Sequence, residues 1–83
     1  MSAAILRRAA DQSRLAEATS CLGRALECER LGPVRNWFLI RASLLLHDCG
    51  LGELAGRISA DSVDRELTRL HDELRALAGA GRW

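Results

Sequence analysis

The sequence predicts an all-α fold, a small three- to four-helix bundle, and three observations predict it. Apolar residues recur at spacings of three and four, and no stretch alternates as a half-buried strand does. β-branched residues are scarce (three Ile, two Val and two Thr in 83 residues), while Ala, Leu, Arg and Glu, which lose little side-chain freedom in a helix, fill the chain. Turn-forming residues gather at "LGPVRN", "CGLGELAGRISAD" and "AGRW", which divides the chain into helical segments. Residues 1–83 read as a single helical domain, near the size where one core is only just sufficient.

The first helix is expected from about Ala3 to Leu31. Leu15, Ala18, Leu22, Ala25 and Leu26 share one face, and Arg14/Glu17 and Arg24/Glu27 are placed to pair at i,i+3 on the other. Ile5, Leu6 and Ala9 fall out of phase with that face, so the first turns are expected to bend, fray or contact something else. "LGPVRN" stops the helix, with Gly32 suited to a C′ position and Pro33 to the first turn of the next helix.

The second helix, Pro33 to about Cys49, holds "WFLIRASLLL", in which eight of ten residues are apolar. It is too short to span a bilayer, which takes about 20 mostly apolar residues. A helix apolar nearly all round is usually covered on several sides. The expectation is therefore a central core helix, with Trp37 and Phe38 supplying much of the buried area and Arg41 reaching out to water. On that reading Leu44→Ala opens a core cavity.

A Gly-rich connector (Gly50, Gly52, Gly56) lies between the second helix and a short third one. Gly50 should end helix two, and Leu51, Leu54, Ala55 and Ile58 suggest two helical turns. The fourth helix, about Ser62 to Ala78, should be capped by Asp61 or Ser62. Val63, Leu67, Leu70, Leu74 and Leu77 recur at spacings of 4, 3, 4 and 3, a strict a/d seam in an otherwise charged helix.

Composition narrows the function classes. Twelve Arg against eleven acids leave no field to attract a polyanion. All basic residues are Arg, which excludes lysine chemistry; a GC-rich coding sequence and selection for guanidinium forks both give that usage. The three cysteines lack framework spacing and no secretory segment is visible, so reduced thiols and a cytoplasmic location are expected.

No metal or cofactor is expected either. Cys21 and Cys28 are seven apart, about 10.5 Å along a helix, too far for one tetrahedral ion or a disulfide. His47 and Cys49 lack any companion pair of ligands. His47–Asp48 and His71–Asp72 are adjacent pairs that diverge by about 100° around a helix. With no nucleophile elbow, phosphate loop or HExxH, the chain is not expected to be an enzyme or to take a small-molecule substrate.

Two binding readings remain. The segment 51–78 resembles a helix-turn-helix, which would make the chain a small DNA-binding regulator. Against that, residues 61–75 carry five acids and three Arg, a poor charge for approaching phosphates, so nucleic acid is the less expected partner. The favoured expectation is a protein-interaction module (an adaptor, dedicated chaperone or small inhibitor) that binds another protein or itself through apolar helix faces. The residues assigned to that face are Val63, Leu67, Leu70, Leu74 and Leu77, with Arg65 and Arg69 as charged flanks and Trp83 as a further anchor. Leu6, Leu31, Leu39 and Leu45 are likewise left without an obvious place in the core.

Overall fold

A computed structural model describes residues 3–80 of the chain. The described residues are 79% helical and form four helices and no strand. The elements are α1 (Ala3–Glu27), α2 (Pro33–Asp48), α3 (Gly52–Ala55) and α4 (Asp64–Ala80). α1 packs against both α2 and α4, and α3 lies on α2. The centre of the bundle is therefore α1, not the more apolar α2.

Cross-helix contacts fix the directions. Arg35 meets Ala25 while Arg41 meets Glu17, so α1 and α2 run antiparallel. The His71 ring lies against Gly23 and Arg30 reaches Asp61, so α4 also runs antiparallel to α1. The core consists of Leu15, Ala18, Cys21, Leu22 and Ala25 of α1, Leu39, Ala42, Leu45 and Leu46 of α2, and Leu67, Leu70 and Leu74 of α4, closed by Cys49 and Ala55. Ala18, Ala25 and Ala42 are fully buried, and their small side chains let α1 and α2 approach closely. Burial on α1 begins near Ala10, and Ala3 to Ala9 are exposed, Ile5 and Leu6 among them.

Several local expectations are corrected. α1 ends at Glu27, and the left-handed residue after it is Leu31 (φ 64°), whereas Gly32 sits at φ −78° as the residue preceding α2. Pro33 opens α2 as its fixed φ favours, and Gly50 (φ 82°) closes it, with the Leu51 N–H donating to the Leu46 carbonyl at 2.8 Å. α3 is one turn rather than two, because after Gly56 the chain continues in turns from Arg57 to Leu54 and Ile58 to Ala55.

Neither expected cap serves α4. The Ser62 hydroxyl accepts from the Ser59 N–H at 3.0 Å, and the Asp61 carboxylate accepts from the Ser59 hydroxyl. Both side chains thus tie the connector to itself. Arg14 pairs with Asp11 and not Glu17, which is engaged by Arg41 across the helix pair.

Candidate functional site

The α4 seam is the natural place to begin, and it lies mostly inside the molecule. Leu67, Leu70 and Leu74 are buried against α1, and Leu77 packs half-buried beside them. Only Val63 of the five seam residues is exposed, and Arg65 and Arg69 point to solvent on the charged side of the helix. Trp83 lies outside the described residues. α1 is the helix that packs against it.

The exposed apolar surface is instead on α2. Leu39, Ala42, Leu45 and Leu46 turn inward, so Leu39 and Leu45 have a place in the core after all. The opposite face carries Val34, Trp37, Ile40 and Leu44, all more than half exposed, with Trp37 at 57%. The expected burial of Trp37 and Leu44 is thereby corrected: α1 covers one side of α2, α3 covers little more, and the described residues leave Val34, Trp37, Ile40 and Leu44 more than half exposed. Leu31 (68% exposed) immediately precedes this stripe in the chain.

Trp37 is not a loose side chain. Its ring meets Phe38 edge to face, with centroids 5.0 Å apart and planes at 80°. Phe38 itself packs against the core, so the indole is braced from below. An open groove runs between α2 and the connector, lined by Leu39, Ile40, Leu44 and Ile58, with Asn36 and Ser43 supplying polar edges. The one cation on this side of the helix, Arg41, donates to the Glu17 carboxylate at 3.0 Å.

At the opposite face of α2, Arg35 is 1% exposed and joins three segments. Its Nη1 donates to the carbonyls of Ala25 (3.4 Å), in the last turn of α1, and Cys28 (3.5 Å), just past its end. Its Nη2 meets the Asp64 carboxylate at 2.6 Å in the first turn of α4. The guanidinium therefore serves one helix C-terminus while its partner carboxylate sits at a helix N-terminus, both favourable to the peptide dipoles. Sequence reasoning missed Arg35; its only mark was a charge at a position in phase with Leu39, Ala42 and Leu46.

The remaining chemistry-bearing residues are dispersed. Burial pushes the Cys21 thiol up, with Glu17 adding to it, and burial likewise raises Cys49, with Asp11 adding. Such thiols stay protonated at neutral pH and are poor nucleophiles. Among the described residues no group of three His, Cys, Asp or Glu could hold a metal ion, and no helix is long and apolar enough to cross a membrane. The helix-turn-helix resemblance meets a one-turn α3 and an eight-residue connection, 56–63, where the motif uses a three- to four-residue turn. No family model, no curated protein and no solved structure matches this chain detectably.

Proposed function

We propose that this chain is a non-enzymatic protein-interaction module, an adaptor, dedicated chaperone or small inhibitor, that binds through the solvent face of α2. The observation that carries the reading is the stripe Val34–Trp37–Ile40–Leu44, held on a rigid helix and anchored by a braced indole. A tryptophan at the centre of an apolar patch is the residue type that most often dominates protein interfaces, and bracing lowers the entropy lost on docking. This moves the binding face from α4, whose leucines serve the core, to α2.

The regulator reading draws less support from the geometry. Asp61 and Asp64 flank the start of α4, where a recognition helix would approach phosphate. The test compares immobilised wild-type protein with Trp37→Ser in extract of the native host. Proteins, copies of this chain included, should be retained by the wild type and released by the variant. Equal retention by both, or retention only of duplex DNA in a manner lost on Arg65→Ala or Arg69→Ala, would overturn the proposal.

A further inference from the structure

We draw no further inference here: the strongest candidate, the apolar patch of Val34, Trp37, Ile40 and Leu44 on the solvent face of α2, carries none because nothing in the structure shows what covers it.

Discussion

Arg35 ties the carbonyls at the end of α1 to the first turn of α4 through one buried guanidinium. Its Nε makes no hydrogen bond among the described residues, so the site is not a fully satisfied network. Arg35→Ala removes the packed stem and three donated bonds while leaving helix-end carbonyls in a dry environment. The expected loss is about 2–4 kcal/mol of stability, read as a lower urea midpoint. An unchanged midpoint would show that neither the packed stem nor the guanidinium's bonds contribute to stability. Arg35 was hidden in the sequence because an arginine on an apolar helix is ordinarily read as a surface residue, and only the position of α1's end makes it an interior one.

The thiols allow a second residue-scale prediction. The chain has no Lys and no Tyr, so little else titrates alongside cysteine at alkaline pH. Burial raises Cys21 and Cys49 in the folded state. The unfolded chain therefore releases those protons first, and the native state binds more protons than the unfolded one. Stability is full below the unfolded thiol value of about 8.5 and falls as pH climbs through the raised native values. Urea midpoints should decline as pH rises above about 8.5, and the decline should flatten in Cys21→Ala/Cys49→Ala. An identical decline in that variant would place its origin elsewhere.

At the scale of elements, α4 and α2 differ in how legible they were. The α4 seam was plain because charge surrounds it, but a narrow seam fits one covering helix whether that helix is α1 or a partner. Periodicity cannot tell the two apart. On α2 apolar residues surround the axis, so size alone put Trp37 in the core. A weaker signal was present: Val34, Arg41 and Asp48 are spaced by seven, and Trp37 and Leu44 fall beside them. The charges marked the solvent face and Trp37 shares it.

The same contrast gives a matched pair of substitutions. Leu46 is fully buried and Leu44 is 58% exposed, two positions apart on one helix. Leu46→Ala should cost about 2–5 kcal/mol and Leu44→Ala about 0.5 kcal/mol or less, measured by chemical denaturation of dilute protein. Equal costs would contradict the assignment of faces. Gly23 also gains its meaning only from packing. A Cβ there would lie 3.1 Å from the His71 ring, so the glycine mid-helix is the flat surface on which α4 rests.

Over the whole molecule, the all-α class was legible from composition and spacing, whereas the helix arrangement depended on which faces meet. The chain extends 43 Å along its longest axis and about half that across. α1, with 25 residues, accounts for most of that length, and the residues of its first two turns are exposed. The out-of-phase apolar residues Ile5 and Leu6 were readable as misfits in the sequence, and both are exposed. Amides of residues 3–9 should exchange with solvent far faster than those of Leu15 to Ala25, whose face is covered on both sides. Equal protection along α1 would mean that the first turns are held by something else.

α2 turns Trp37 outward while the leucines of α4 fill the core. Fluorescence of Trp37 in a Trp83→Phe protein tests it most directly, read across a dilution series with helicity followed in the same samples. Dilute, fully helical protein should give the emission of a water-exposed indole, in keeping with the 57% exposure of Trp37. Emission of a buried indole in the dilute folded monomer would contradict it.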